Sequence, residues 1–203
     1  MRVEHKEQLI PILKLRKDLR LIVISGCSCS GKTFLSKYLF DCFGENGSVV
    51  LSLDNYFKES ADLDFPINSQ GRKVWDVPES YRHQQILNDL VQLLAGKSIE
   101  SPKYDIAKGQ IVSFQTIRPE QLIIFEGLYA IDFANQLNEN IFSIFVDTKD
   151  TLRLKRRIDR DVREYGVSED KVIQFWNQKV KPFEYKIKQQ KESADIILTE
   201  GSG

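Results

Sequence analysis

Gly26-Cys27-Ser28-Cys29-Ser30-Gly31-Lys32-Thr33 has the spacing G-x-x-x-x-G-K-[ST], and its reading decides the fold. The two glycines let the backbone curl until successive N–H groups point inward at phosphate oxygens. A helix that opens at the end of the octet offers its positive N-terminus to the same anion. In such a loop Lys32 bridges the outer phosphates of a bound ATP, and the Thr33 hydroxyl is a ligand of Mg²⁺. The motif carries that meaning only between a strand and a helix. Both are present: Leu21-Ile22-Val23-Ile24 is a fully apolar run of the kind found in buried parallel strands, and residues 34–43 place Leu35, Tyr38, Leu39 and Cys42 at helical spacing. Cys27 and Cys29 fill variable positions of the loop, and neither His5 nor His83 lies at metal-site spacing from them.

Outward from the loop the same alternation continues. Buried-strand runs recur at 49–53, 122–125, 141–146 and 195–198, and helical patterns occupy 81–94, 150–164 and 168–190, the last with an internal Pro182. Residues 55–80 carry Pro66, Gly71 and Pro78 with few periodic apolar positions, and read as a long ordered loop of functional type. Residues 101–118 alternate around Gly109 as a β-hairpin does. Together they predict a single α/β domain over 1–203, of P-loop NTPase type: a mainly parallel sheet flanked by helices, a small β-hairpin lobe at about 101–118 and a helical lid at about 150–167. Gly201-Ser202-Gly203 reads as a tail.

Composition narrows the function classes. Lys+Arg and Asp+Glu each number 29, so the chain lacks the basic excess that phosphate contacts demand of a nucleic-acid binder. No apolar run approaches the ~20 residues that span a bilayer, and the charged start lacks the apolar core of a secretory signal. Three cysteines, Cys27, Cys29 and Cys42, give no disulfide framework. The expected compartment is the cytoplasm.

Ligands of an open α/β sheet bind beyond the carboxyl ends of its strands. Asp54, Glu126 and Asp147 each follow a predicted strand. A carboxylate there can hold Mg²⁺ or take a proton from an attacking hydroxyl, which makes Asp54 a candidate for either task. Glu126, ending an apolar strand before Gly127, has the form of a Walker-B metal ligand. Asp147-Thr148 reads as the start of the next helix and is assigned a structural role. Six basic residues crowd 153–163, and helical spacing puts Arg153, Arg157 and Arg160 on one stripe. Beside a phosphate loop such arginines stabilise the charge that develops in phosphoryl transfer.

These motifs, in order, resemble the uridine kinase (uridine-cytidine kinase) family, and more broadly the group that includes phosphoribulokinase and nicotinamide riboside kinase. After the phosphate loop the resemblance rests on Leu51-Ser52-Leu53-Asp54-Asn55-Tyr56-Phe57, Trp75-Asp76-Val77-Pro78, Pro102-Lys103-Tyr104-Asp105, Ile124-Phe125-Glu126-Gly127 and the run from Arg153 to Asp161. The resemblance implies Mg-ATP and a nucleoside as partners, and a homo-oligomer. Asp54 would be the base for the 5′-hydroxyl, and Asp76 would accept the ribose 2′- and 3′-hydroxyls. Phe57 and Tyr104 would pack on the base, Thr33 and Glu126 would hold Mg²⁺, and Arg157 and Arg160 would belong to the lid. Two positions depart from the uridine kinase pattern. Gly109 stands where a base-contacting histidine is usual, and Val167 where an arginine follows the lid helix. Residues 73–80 are similar to the corresponding segment of nicotinamide riboside kinases. The acceptor therefore remains open between uridine or cytidine and another such as nicotinamide riboside, and a non-catalytic ATP-binding regulator is the other reading.

Overall fold

A computed structural model describes residues 1–44 and 47–200. In chain order its elements are β1 (Arg2–Val3), α1 (Leu9–Lys14), β2 (Leu21–Ser25), α2 (Lys32–Phe43), β3 (Ser48–Ser52), α3 (His83–Leu94), β4 (Ile99–Asp105) and β5 (Gln110–Ile117). There follow β6 (Leu122–Gly127), α4 (Ala130–Ala134), β7 (Ile141–Thr148), α5 (Asp150–Tyr165), α6 (Glu169–Phe175), α7 (Glu184–Gln189) and β8 (Ile196–Glu200).

Six strands form one sheet in the order β1-β8-β7-β2-β6-β3, and every pairing in it is parallel. All residues of β2 and β6 are buried, which is why both read as continuous apolar runs. Alternate side chains serve opposite faces: Leu21 and Val23 join one apolar cluster with Leu51 and Phe125, while Ile22 and Ile24 join the other with Leu35 and Leu39. The phosphate loop leaves β2 from the middle of this sheet, so the carboxyl ends of β3, β6 and β7 surround it.

The expected strands and hairpin are present, with shifts of a residue or two at their ends. β4 and β5 pair antiparallel with a register shift at Lys103/Tyr104. The loop at 55–80 is tied down by Ser60 N–H donating to the Gly109 carbonyl (2.7 Å) and by Phe57 bridging Tyr81. The sheet also has an edge strand that no apolar run announces: β1 pairs with β8, and Leu9 and Leu13 of the following helix are buried in the same apolar cluster. Two expectations need correction. Residues 168–190 are not one helix. Pro182 lacks the N–H a continuous helix needs, and the chain passes from α6 through a π turn (Trp176–Val180) and a 3₁₀ turn (Lys181–Phe183) into α7. Asp147 lies inside β7 rather than at a helix start, paired to Lys191 at 2.7 Å. The tail at 201–203 lies outside the described residues.

Candidate functional site

The phosphate loop closes tightly against the sheet. A Cβ on Gly26 would stand 2.6 Å from the Val146 carbonyl oxygen, so only glycine fits there. Gly31 adopts φ +102° immediately before α2, a turn that a side chain would strain. Cys27 is buried within the loop, its thiol pushed up to about 11 by desolvation, whereas Ser28 and Cys29 face the cavity. Lys32 Nζ lies across the loop, donating to the Cys27 carbonyl at 3.3 Å. From β7, the Thr148 hydroxyl donates to the Ser30 carbonyl at 2.7 Å.

Ser28, Cys29, Gly31, Lys32 and Thr33 open onto a cavity of about 1240 Å³, which Asp54, Asp76 and Glu126 also line. That exceeds the volume a single drug-sized ligand usually fills. Glu126 is almost fully buried in β6 and accepts a 2.8 Å hydrogen bond from the Ser52 hydroxyl. Desolvation and the nearby Asp54 charge raise its carboxyl, against the pull of Lys32 and of the Ser52 and Thr33 hydroxyls. Asp54 is raised by desolvation too, opposed by Lys32 and Arg160. Asp76 is pushed up to about 6 by desolvation and by Asp54, with Arg157 opposing. Carboxylates held this reluctantly ionised favour a cation or a proton-bearing hydroxyl between them.

Among the described residues no three His, Cys, Asp or Glu side chains could hold a metal unaided. Mg²⁺ does not require that: it keeps several waters and takes one or two protein ligands plus substrate phosphates. The Thr33 hydroxyl beside the buried Glu126 carboxylate, with Asp54 lining the same cavity, fits that demand.

Helix α5 lies over the loop, but its arginines divide. Arg153 is buried, and not part of an exposed stripe with Arg157 and Arg160. It donates to Glu184 (2.8 Å), to Asp150 (2.6 Å) and to the Ser28 carbonyl (3.1 Å), and stacks on Trp176 at 4.9 Å. The folding-over of α7 covers this position, which helical spacing alone does not reveal. Arg157 and Arg160 do reach the cavity, with Arg156 beside them. Arg157 donates to the Ser28 hydroxyl at 3.2 Å, and Asp161 receives both Arg157 (3.2 Å) and Arg160 (2.9 Å).

At the acceptor end Phe57 lines the cavity, stacked on Tyr81 at 4.4 Å. Tyr104 does not line it. Its ring sits 5.6 Å from Phe57 and its hydroxyl donates to the Lys58 carbonyl at 2.9 Å. Trp75 takes the front position, edge-on to Phe57 at 5.5 Å. Gly109 is in the left-handed region, and a Cβ there would stand 2.7 Å from the Ser60 hydroxyl and 3.7 Å from the Trp75 ring. Val167 is likewise outside the lining. Trp75 enters the sequence reading only as part of a motif and Arg156 only as one of the six basic residues of 153–163, while Phe175 and Phe183 also face the cavity. Trp75, Phe175 and Phe183 sit in a loop and along a broken helical segment, where no periodicity points inward.

Residues 21–202 match the phosphoribulokinase / uridine kinase family. The uridine kinase of Proteus mirabilis is 34% identical over 190 residues, covering 89% of this chain and 87% of the relative. That of Bacillus cytotoxicus is 33% identical over 183 residues, covering 89% and 85%. Among solved structures, YFH7 of Saccharomyces cerevisiae, a circularly permuted P-loop protein, aligns with TM-score 0.70 at 11% identity, covering 98% of each chain. The D-glycerate 3-kinase of Cryptococcus neoformans aligns with TM-score 0.55 at 18% identity, covering 79% of this chain and 76% of its own. At such identities these structures speak for the fold alone. The chain belongs to the phosphoribulokinase / uridine kinase family.

Proposed function

We propose that this chain transfers the γ-phosphoryl group of ATP to the 5′-hydroxyl of a nucleoside, with uridine or cytidine the leading acceptors. The observation that carries the reading is the meeting of Asp54, Asp76 and the phosphate loop in one cavity. Asp54 takes the proton of the attacking hydroxyl, its carboxyl raised by desolvation against the pull of Lys32 and Arg160. Asp76 accepts the two vicinal ribose hydroxyls and so aims the 5′-oxygen. Lys32 and the loop N–H groups hold the phosphates, while Arg157 and Arg160 meet the charge that spreads over the transferring group. Thr33 and Glu126, with Asp54, would hold a Mg²⁺ ion, which would supply further neutralisation of the phosphates.

The uridine kinase relatives support a pyrimidine acceptor. The Trp75 wall and the filled space at Gly109 favour a second acceptor, nicotinamide riboside, whose ring an aromatic wall receives without a histidine. A purely regulatory ATP-binding role is disfavoured by the presence of all three acids.

Asp54→Asn tests the assignment. Turnover is expected to fall at least roughly a hundredfold with Mg-ADP affinity nearly unchanged. Turnover at the wild-type rate removes Asp54 as the base.

A further inference from the structure

The roles above leave the base of the phosphate donor without a partner. Helix α2 carries Lys32 and Thr33 in its first turn, and the next residue is Phe34. Phe34 is 59% exposed, yet it lines the same cavity as Gly31, Lys32 and Thr33. A large aromatic ring left open to solvent, one residue (~1.5 Å of helix rise) past the phosphate-binding lysine and threonine, is placed to meet whatever the phosphates are attached to.

The ring is also braced. Lys6 Nζ lies 5.1 Å from the Phe34 ring centroid and 5.2 Å from that of Tyr38. Phe34 and Tyr38 are four residues apart and share one face of α2. Lys6 is itself held in place, between β1 paired to the sheet edge and α1 anchored by Leu9 and Leu13. This bracing segment precedes residue 21, where the family match begins. An ammonium against an aromatic face holds the ring by cation–π attraction.

We propose that Phe34, backed by Lys6, is an aromatic wall for the base of the phosphate donor, so that the donor is held as a nucleotide and not by its phosphates alone. The proposal rests on residues 26–33 holding a nucleotide's phosphates. Base–aromatic contact tolerates any base, because each has a π face. The wall therefore adds affinity for nucleotides in general rather than choosing among them.

The test measures binding of Mg-ADP and of Mg-tripolyphosphate to the full chain by calorimetry. Wild type binds both. Phe34→Ala weakens ADP roughly tenfold while tripolyphosphate stays within about twofold, since stacking is worth a factor of that order. Phe34→Tyr keeps the wild-type affinity for both. Unchanged ADP affinity in Phe34→Ala overturns the proposal alone, as does an equal loss for both compounds or a loss in Phe34→Tyr matching alanine's. A wild type that binds neither compound overturns it together with the phosphate-loop reading beneath it.

Discussion

Asp76 shows what burial does to one residue. Its carboxyl sits at about 6 rather than the ordinary 3.8, chiefly from desolvation, so it carries a proton in a range where a free aspartate has lost it. A protonated Asp76 has turned one oxygen into a donor and lost its charge, so it accepts the two ribose hydroxyls more weakly. We predict that kcat/KM for the acceptor falls as pH drops below about 6, and that Asp76→Asn, already weak, loses this inflection. An unchanged inflection in Asp76→Asn would assign it to another group. The sign for stability is opposite: a carboxyl raised on folding adds stability below its unfolded value and loses it as pH rises through about 6. Asp54 and Glu126 were legible because each follows an apolar run whose end must face the ligand side of the sheet. Trp75 was not, because a loop residue's direction comes from contacts such as Phe65 at 4.6 Å and Phe57 that no spacing encodes. Tyr104 shows the reverse, since family resemblance brings it to the site while its hydroxyl bond to Lys58 keeps it a layer behind.

Helix α5 and the broken segment after it act as one element over the phosphate loop. Arg153 joins them: its guanidinium meets Asp150 and Glu184 and, through the Ser28 carbonyl, the loop itself. These partners hold Arg153 well above the usual arginine range and Asp150 well below the usual carboxylate range. Removing one member of a buried ion cluster leaves charge uncompensated, so Arg153→Met is expected to cost about 3 kcal/mol in urea unfolding. A midpoint equal to wild type would contradict the bracing role. The helical period revealed α5 but not which of its arginines turns inward. That depends on α7, whose approach is set by the break at Pro182. The sequence contains the break but gives no sign of its angle.

Across the whole molecule, the parallel sheet was readable because strands covered on both faces must be apolar throughout, and five such runs stood between helical patterns. The sixth strand was not, since two residues at an edge carry no pattern and gain their pairing only from β8. The chain from this edge strand leads to Lys6, whose Nζ lies against the Phe34 ring. The resemblance to uridine kinases fails at Gly109 and Val167, neither of which lines the cavity, and holds at Asp54, Asp76 and Glu126, which do. The central claim is therefore phosphoryl transfer to a nucleoside, with the base decided by experiment. The direct measurement is ATP consumption by the purified protein with Mg²⁺ against uridine, cytidine, adenosine, nicotinamide riboside and simple sugars. Turnover that depends on one of the nucleosides is expected. Turnover confined to a sugar, or none with any acceptor while Mg-ADP still binds, would contradict it.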